Sequence, residues 1–270
     1  MNRDNNQLIL SQSLQSLFSV EITADNSPTL RLKSGLSEKP ESMHHSGGAA
    51  TETAYIYTQP LEKTFKAGLL KDLIGDLKQF NIAVVGLGVG YIETSLLGLL
   101  QKENFSNLVH ITSFEKESAL IESFKNHFTE PHAKSVYQKM LQSVCEIHNY
   151  NENQLFDLMK VVIKNDDLQI RWDLKSELSQ DTQLDSSFHY IAFDAFSQKT
   201  DHPLWTEEFL NYFIDQAASP DCLFTTYACT GLLKQTLKKH GFTLIPRLGF
   251  QGKRDSTLAV RGRFTQVDLS

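Results

Sequence analysis

The segment from Asn81 to Leu100 constrains the fold more than any other part of the chain. Its first five residues, NIAVV, form a short and almost wholly apolar run, as expected for a strand buried in a parallel sheet. GLGVG follows at 86–90, and the residues after it have helical character. A glycine loop between a buried strand and a helix lets a ligand approach the backbone at a helix N-terminus. The segment therefore predicts a candidate ligand site, although the same glycines also suit a turn that serves only packing.

Strands and helices alternate through the rest of the chain. Apolar runs predict four more strands, at 108–116, 168–172, 189–196 and 222–228. The intervening segments predict helices over 117–164, 205–218 and 231–240. FTLIP and STLAVRGR predict a closing hairpin near the C-terminus. Alternation of this kind is typical of an α/β fold with a mostly parallel sheet.

The first 60 residues predict an N-terminal extension that precedes the α/β fold. LFSVEITADNSPTLRLK, at 17–33, predicts two short strands around an Asp-Asn-Ser-Pro turn. The leading segment (residues 34–60) predicts an ordered loop followed by a short strand, AYIYTQP, that ends at Pro60. Apolar residues at helical spacing predict an amphipathic helix from Leu61 to Phe80. We therefore expect a hairpin and leading segment, 1–60, packed on a main domain, 61–270.

Composition excludes several classes of protein. Of the 270 residues, 40% are hydrophobic and 21% are charged, which describes neither a disordered nor a fibrous chain. No uncharged apolar run approaches the roughly 18 residues of a membrane-spanning helix, and the N-terminus lacks the features of a secretory signal. Three cysteines, and the adjacent His44 and His45, lack metal-ligand spacing. We expect a reduced, cytoplasmic protein without a membrane segment or a metal.

Positive charge is concentrated near the C-terminus. Residues 231–270 contain eight Lys and Arg against two Asp, whereas the whole chain has a net charge of −6. A local basic face can bind a polyanion even on an acidic protein, because salt screens each charge within about 10 Å. The alternative is a solvated basic helix and strand without a partner.

Two carboxylates follow predicted strands at positions where an open α/β sheet binds ligands. Glu115 ends the second strand, where an acidic residue can accept hydrogen bonds from the ribose of an adenosine cofactor. Asp194 ends an otherwise apolar strand and is a candidate for acid–base or substrate-orienting work. The alternatives are a surface glutamate paired with Lys116 and an aspartate that caps a helix or turn.

Four blocks carry a family resemblance. HITSFEK, FDAFSQKTDHPLW, TTYACTGLLKQTLKKHGF and LGFQGKRDSTLAV occur in this order and resemble consecutive blocks of the bacterial tRNA 5-aminomethyl-2-thiouridine methyltransferases. ESMHHSGGAATETAY, in the leading segment, is similar to the segment before the first helix of that family. The resemblance spans about residues 20–261. It implies a Rossmann-like class I methyltransferase that uses S-adenosylmethionine to methylate the aminomethyl group of a wobble uridine in tRNA.

The resemblance also implies roles for individual residues. The loop glycines would wrap the methionine end of S-adenosylmethionine, and Glu115 would hold its ribose. Glu52 and Tyr55 would close over the cofactor, and Asp173 would lie on its adenine side. The residues implied for cofactor binding are therefore Gly86, Gly88, Gly90, Glu115, Glu52, Tyr55 and Asp173.

On the acceptor side, the resemblance places Asp194 beside the transferred methyl group and the amine. An ordinary aspartate is too weak a base to deprotonate an alkylammonium freely, so Asp194 is interpreted as orienting the amine and taking its proton during or after attack. Phe196 could stack on the target base or pack in the core. The implied tRNA-backbone contacts are Lys234, Lys238, Lys239, Lys253 and Arg254. The oligomeric state stays open.

The chain departs from the family pattern in the cofactor loop. Val84 stands two residues before the first glycine, where the family usually has an acidic residue, and GLGVG replaces the more usual GFGTG. Two alternatives therefore stay open: a methyltransferase with a small-molecule or protein acceptor, and a non-catalytic paralogue that binds RNA or a partner protein. Some family members are fused to a flavin-dependent oxidase, and for 270 residues we expect the stand-alone methyltransferase form.

Overall fold

A seven-stranded sheet forms the centre of the fold. The computed structural model describes residues 8–34, 40–68, 78–252 and 255–269. The strands are β1 (Phe18–Ile22), β2 (Pro28–Leu32), β3 (Gln79–Val85), β4 (Leu108–Phe114), β5 (Ile170–Lys175), β6 (Phe188–Phe193), β7 (Ala218–Thr226), β8 (Thr243–Ile245) and β9 (Thr257–Arg261). The large sheet has the order β5-β4-β3-β6-β7-β9-β8. Its first five strands are parallel, and β9 runs antiparallel to both neighbours. The predicted α/β fold with a mostly parallel sheet and a closing hairpin is confirmed.

Helices cover both faces of this sheet. They are α1 (Gln12–Leu17), α2 (Ala49–Thr53), α3 (Gln59–Lys66), α4 (Tyr91–Lys102), α5 (Ser118–Thr129), α6 (Val136–His148), α7 (Glu152–Ile163), α8 (Glu207–Ala217) and α9 (Gly231–Lys239). Side chains of β3 alternate between two cores: Ile82 and Val84 pack with α4 to α7, whereas Ala83 and Val85 pack with α8 and α9. Burial on both faces explains the unbroken apolar run in this strand.

The predicted N-terminal hairpin is confirmed. β1 and β2 pair antiparallel and form a sheet of their own, with Ile22 opposite Pro28 beside the turn. Asp25 and Ser27 of this turn accept hydrogen bonds from the N-terminal N–H groups of α2. These groups have no partner within their helix, so the turn caps α2 from a distant position in the chain.

The predicted strand over AYIYTQP is wrong. Residues 49–66 are helical throughout, because a π-helical turn, Ala54–Thr58, joins α2 to α3. Pro60 has no N–H to give to the carbonyls one turn earlier. The guanidinium of Arg247 donates to the carbonyl oxygens of Tyr55 and Ile56 instead. A tertiary contact therefore stabilises a conformation that the local sequence does not indicate.

The predicted helix from Leu61 to Phe80 is confirmed only in its first part. α3 begins two residues earlier, at Gln59, and ends at Lys66. The part of the prediction over 69–77 lies outside the described residues, and Phe80 already belongs to β3. No described helix is both long and apolar enough to cross a membrane.

Candidate active site

The carboxyl ends of β3, β4 and β6 meet at one edge of the sheet, where open α/β sheets bind ligands. The glycine loop follows β3, Glu115 follows β4 and Asp194 follows β6. Gly86, Gly88, Glu115 and Asp194 all line a cavity of about 750 Å³ at this edge. Small-molecule sites typically have volumes of roughly 300–1,000 Å³. The structure therefore brings together the residues that follow these three strands.

Close packing explains two of the three loop glycines. Gly86 has a φ of +94°, and a Cβ atom there would lie 2.6 Å from the carbonyl oxygen of Asp194. Gly90 has a φ of +89°, and its Cβ would lie 2.2 Å from the ring of Phe124. Both torsion angles and both contacts exclude an unstrained side chain. Gly86 thus lets two strand ends approach each other, and Gly90 lets α4 pack against α5.

Backbone N–H groups hold Glu115 at the cavity wall. Its Oε2 accepts the N–H of Gly88 at 3.1 Å, and its Oε1 accepts the N–H of Glu117 at 2.9 Å. Burial raises the pKa of this carboxyl, although the two N–H bonds act in the opposite direction. Each oxygen has a second lone pair, so the carboxylate can also accept a hydrogen bond from a ligand hydroxyl.

Asp194 is hydrogen-bonded to a buried tyrosine that sequence reasoning missed. Tyr57 donates its O–H to Oδ1 of Asp194 at 2.5 Å. Burial and the charge of Asp194 raise the pKa of Tyr57 well above its usual value, so the phenol keeps its proton. The backbone of Asp194 is fixed as well, because its N–H donates to the carbonyl of Val85 at 2.8 Å. The cavity therefore presents a carboxylate with one oxygen committed to a phenol.

The helical conformation of the leading segment separates Glu52 from Tyr55. Glu52 is only 5% exposed and lines the cavity, where it accepts the N–H of His45 at 2.7 Å. Tyr55 does not line the cavity, and its ring contacts the guanidinium of Arg247 at 4.0 Å. Tyr57 approaches the site instead, because a spacing of five residues brings Glu52 and Tyr57 to one side of a π-helical turn. The five-residue spacing between Glu52 and Tyr57 is the sequence signal that could have identified Tyr57.

Asp173 lies within β5 and away from the cavity. The strand continues to Lys175, beyond the predicted end at 172. The carboxylate of Asp173 contacts His110 at 2.8 Å and Arg171 at 2.9 Å. Burial alone would raise its pKa, but these partners hold the pKa below its usual value. The structure thus does not support the adenine-side position implied for Asp173. The residues after β5 that line the cavity are Glu177, Leu178, Ser179, Gln180 and Asp181.

Three arginines of the basic C-terminal region form hydrogen bonds or ion pairs within the protein. Arg247 satisfies the carbonyls of the π-helical turn. Arg261 donates to the backbone carbonyl of Ser219 at 2.7 Å, and Arg263 pairs with Asp221 at 3.1 Å. The excess of positive charge in this region is therefore partly structural.

The lysines implied for tRNA contact lie in different places. Lys234 lines a second cavity, of about 470 Å³, near the carboxyl edge of the sheet. Lys238 and Lys239 are exposed near the end of α9, which runs from the carboxyl edge toward the opposite edge. Lys253 and Arg254 lie outside the described residues. Among the described lysines of this set, Lys234 is the one that lines a cavity, and this is the smaller of the two.

Phe196, the candidate stacking residue, lies at the site. It lines the larger cavity and is half-buried. Its backbone carbonyl accepts the indole N–H of Trp205 at 2.6 Å, which fixes the loop after β6. Phe250 is buried and contacts His45 and Tyr55, so it packs in the core.

Negative charge dominates the larger cavity. Among the described residues, its lining contains eight carboxylates and one lysine. The carboxylates are Glu41, Glu52, Glu115, Glu177, Asp181, Asp194, Asp201 and Glu208. The lysine, Lys116, pairs with Asp201 at 3.1 Å. A cavity lined in this way favours a cationic ligand.

A buried carboxyl group lies behind the glycine loop, although Val84 is not acidic. Val84 is fully buried, and its neighbour in the β3–β4 register is Ser113. Ser113 donates its hydroxyl to Glu93 of α4 at 2.7 Å. Burial raises the pKa of Glu93 to about 8. The chain therefore supplies a carboxyl group close to Val84 from a helix and not from the strand.

These features fit S-adenosylmethionine. The glycine loop gives a ligand access to the backbone, and Glu115 offers a carboxylate to a ribose. The other carboxylates of the cavity suit a sulfonium and an ammonium group. Within the part of the chain that the structure describes, no group of three or more His, Cys, Asp or Glu could hold a metal ion.

Comparisons with known proteins agree with this chemistry. Residues 131–262 match the family model described as S-adenosyl-L-methionine-dependent methyltransferase. Among curated proteins, the tRNA 5-methylaminomethyl-2-thiouridine biosynthesis bifunctional protein MnmC of Hahella chejuensis (strain KCTC 2396) is 35% identical over 78 residues. This match covers 28% of the chain and 12% of the Hahella protein, so the chain spans a small part of that relative.

The fold is shared with a solved structure. MNMC2 from Aquifex aeolicus matches with a TM-score of 0.61 and 23% identity, over 90% of this chain and 70% of that chain. The similarity to spermidine synthase from Thermotoga maritima is lower, with a TM-score of 0.44 and 13% identity, over 93% and 76% of the two chains.

The chain has the fold of the class I S-adenosylmethionine-dependent methyltransferases, and residues 131–262 match their family model. Within this class, the match to the Hahella protein confirms the predicted resemblance to the bacterial tRNA 5-aminomethyl-2-thiouridine methyltransferases.

Proposed function

We propose that this chain transfers a methyl group from S-adenosylmethionine to the aminomethyl group of a wobble uridine in tRNA. The observation that carries the proposal is Asp194, which Tyr57 holds at the wall of a carboxylate-rich cavity beside the glycine loop. The similarity to the Hahella protein, which takes part in tRNA 5-methylaminomethyl-2-thiouridine biosynthesis, supports a tRNA acceptor. Such an acceptor also agrees with the cytoplasmic location expected from the sequence.

The two parts expected from the sequence have different tasks in this proposal. Residues 61–270 form the methyltransferase domain, and residues 1–60 close one side of its cavity. Glu41, His45 and Glu52 support this division, because all three come from the leading segment and line the cavity.

The acceptor amine determines what the chain's residues must do. S-adenosylmethionine, when bound, supplies an electrophilic methyl group on a sulfonium sulfur. An alkylamine with a pKa near 10.4, as for lysine, must lose a proton first, which costs roughly 5 kcal/mol at pH 7. The carboxylates of the cavity favour the ammonium form, so they bind the amine but do not by themselves deprotonate it. The first proton therefore leaves to solvent before attack. The nitrogen becomes cationic again once the new bond forms, and the carboxylate of Asp194, which orients the amine, then takes the second proton.

The test begins with the cofactor. Calorimetric titration with S-adenosylmethionine and with its demethylated product should show micromolar binding. Labelled methyl transfer is then measured on tRNA that carries the unmethylated aminomethyl group. Asp194→Asn should bind the cofactor within a few-fold of the wild type and transfer the methyl group at least about 100-fold more slowly.

A matched control separates this effect from a general change in charge. Asp185 is exposed and pairs with Lys175 at 3.2 Å, away from the cavity. Asp185→Asn should keep wild-type binding and transfer. A wild-type protein that binds the cofactor and does not methylate the tRNA would contradict the proposed acceptor.

A small cationic amine is the second candidate acceptor. The acidic cavity favours it, and the structural use of Arg247, Arg261 and Arg263 leaves fewer cations for phosphate contacts. The same assay with a linear diamine in place of tRNA distinguishes the two acceptors. Label in the diamine and none in RNA would support the second candidate.

A further inference from the structure

Tyr57 is fixed by contacts at both ends of the residue. Its phenol donates to Oδ1 of Asp194, and the phenol oxygen accepts the N–H of Tyr227 at 3.4 Å. Its backbone carbonyl accepts the O–H of Tyr190 at 2.7 Å. The side chain is 2% exposed. A buried phenol held in this way has one available orientation, with its proton directed at the carboxylate.

We propose that Tyr57 is a positioning residue for methyl transfer, which holds the carboxylate of Asp194 through Oδ1 in the orientation that meets the acceptor amine. This inference rests on the proposed function. It assigns a role to a residue of the leading segment that does not itself line the cavity.

The hydrogen bond from Tyr57 fixes the side chain of Asp194, whereas the strand fixes its backbone. The strand fixes the backbone of Asp194 through Val85, but this backbone contact does not by itself set the torsion angles of the side chain. A hydrogen bond from an O–H to a carboxylate is among the stronger kinds in proteins, so it selects one rotamer. A misplacement of about 1 Å can slow a reaction roughly 100-fold, because attack requires an aligned amine.

The π-helical turn provides the required reach. Glu52 and Tyr57 are five residues apart, and the turn places both on the cavity side of the leading segment. Glu52 is close enough for its charge to contribute to the raised pKa of Tyr57. Arg247 maintains the turn by binding its free carbonyls. The helix α2, the π-helical turn and Arg247 therefore together hold Tyr57 in the position from which it binds Asp194.

The experiment compares three Tyr→Phe variants under saturating cofactor. Tyr57→Phe should bind S-adenosylmethionine within about threefold of the wild type and lose kcat by about 10- to 100-fold. Tyr137→Phe removes an almost equally buried hydroxyl, on α6 and outside the cavity lining, and it serves as the control for loss of a buried hydroxyl. Tyr55→Phe removes a hydroxyl on the same helix away from the cavity. Both controls should keep kcat within about threefold of the wild type.

A double-mutant cycle gives an independent readout. In an Asp194→Asn background, Tyr57→Phe should change kcat less than about threefold, because the oriented carboxylate is already absent. Additive losses would show that Tyr57 acts elsewhere and would overturn the inference. Equal losses of kcat in Tyr57→Phe and Tyr137→Phe would also overturn it, since they would indicate a general packing role.

The outcomes also separate this inference from the proposed function. Wild-type transfer to tRNA with an unimpaired Tyr57→Phe refutes only the role of Tyr57. Wild-type transfer to a diamine alone refutes the tRNA acceptor, and the three variants are then compared on the diamine. A wild type without transfer to either acceptor refutes both proposals.

Discussion

Two walls of the same cavity are stabilised by different kinds of hydrogen bond. The sheet-edge wall, made by the loops after β3, β4 and β6, is held by backbone hydrogen bonds that continue the ladder. The N–H of Gly86 donates to Phe114, that of Asp194 to Val85 and that of Glu115 to Lys175. The wall formed by the leading segment depends on side chains from elsewhere. Asp25, Ser27 and Arg247 supply the bonds that its backbone lacks.

The position of the sheet-edge wall is therefore set by many backbone groups, whereas the position of the leading segment depends on single side chains. A parallel ladder distributes positional control over many peptide groups, so a side-chain substitution seldom moves it. The leading segment has few backbone partners outside its own helix, and each side chain that holds it has a large effect. Tyr57 connects the two walls, because it lies in the leading segment and binds Asp194.

The largest expected effect is on the sheet-edge wall, where the backbone itself is crowded. Gly86→Ala should lower the free energy of unfolding by about 3 kcal/mol, because its Cβ would meet a carbonyl oxygen at a positive φ. Gly231→Ala is the matched control, since a Cβ at Gly231 meets no atom within 4 Å. The control should be neutral or more stable by up to about 1 kcal/mol. Urea unfolding measures both, and equal effects would refute the crowding.

The second prediction concerns the carboxyl group buried behind the sheet-edge wall. The pKa of Glu93 is raised from 4.5 to about 8 in the folded protein, so folding favours its protonated form. The free energy of unfolding should therefore fall as the pH rises from about 4.5 to 8. Between pH 5 and 8, Glu93→Gln should become more stable relative to the wild type by about 3 kcal/mol. Urea unfolding at several pH values measures this.

An exposed glutamate provides the control for Glu93. Glu130 is exposed at the end of α5, and Glu130→Gln should leave the pH dependence of stability unchanged. If the Glu93→Gln and wild-type curves stay parallel from pH 5 to 8, Glu93 is not protonated in the folded state.

The third prediction concerns the hydrogen bonds by which Asp25 holds the N-terminus of α2 in the leading segment. Asp25 accepts the N–H of Thr51 at 2.9 Å and its hydroxyl at 2.8 Å. Asp25→Ala should cost about 1–2 kcal/mol of stability, as for loss of a helix cap. It should also weaken cofactor binding, because α2 carries Glu52. Asp185→Ala, at an exposed ion pair, should change both quantities little.

The stabilisation by Asp25 has a defined pH dependence. Burial alone would raise its pKa, but hydrogen bonds from Ser27, Thr51 and Thr23 hold the pKa below 3.8. Its contribution should be present above about pH 4 and disappear as the pH falls below that value. A stability difference between Asp25→Ala and the wild type that persists at pH 2 would contradict this.

The smallest effect is expected outside both walls. Lys238 is exposed near the end of α9, away from the cavity, so Lys238→Ala should leave tRNA affinity unchanged. Lys234→Ala, at the smaller cavity, should lower the affinity modestly and reduce its salt dependence by about one phosphate contact. Filter binding at several salt concentrations compares them. Equal effects of the two substitutions on tRNA affinity would show that this affinity does not depend on how close a lysine lies to the cavity walls.

Local pattern was sufficient for the sheet-edge wall. An apolar run followed by glycines predicts a buried strand and a loop, and the carboxyl ends of parallel strands must share an edge. The amino-acid sequence alone therefore places Glu115 and Asp194 at one site. Asp173, by contrast, lies within β5 and outside the cavity lining, because β5 ends three residues beyond the point at which its apolar run stops.

Only the tertiary structure decided the conformation of residues 54–58 and the choice between two tyrosines. The aromatic and β-branched residues at 55–58 favour a strand there, and Pro60 argues against a continuous helix. The helix forms because Arg247, from a distant part of the chain, binds the carbonyls that lack N–H partners. Local periodicity contains no information about such a partner. The same contact turns Tyr57 toward Asp194, and it makes Arg247 a structural residue and not a free charge for RNA.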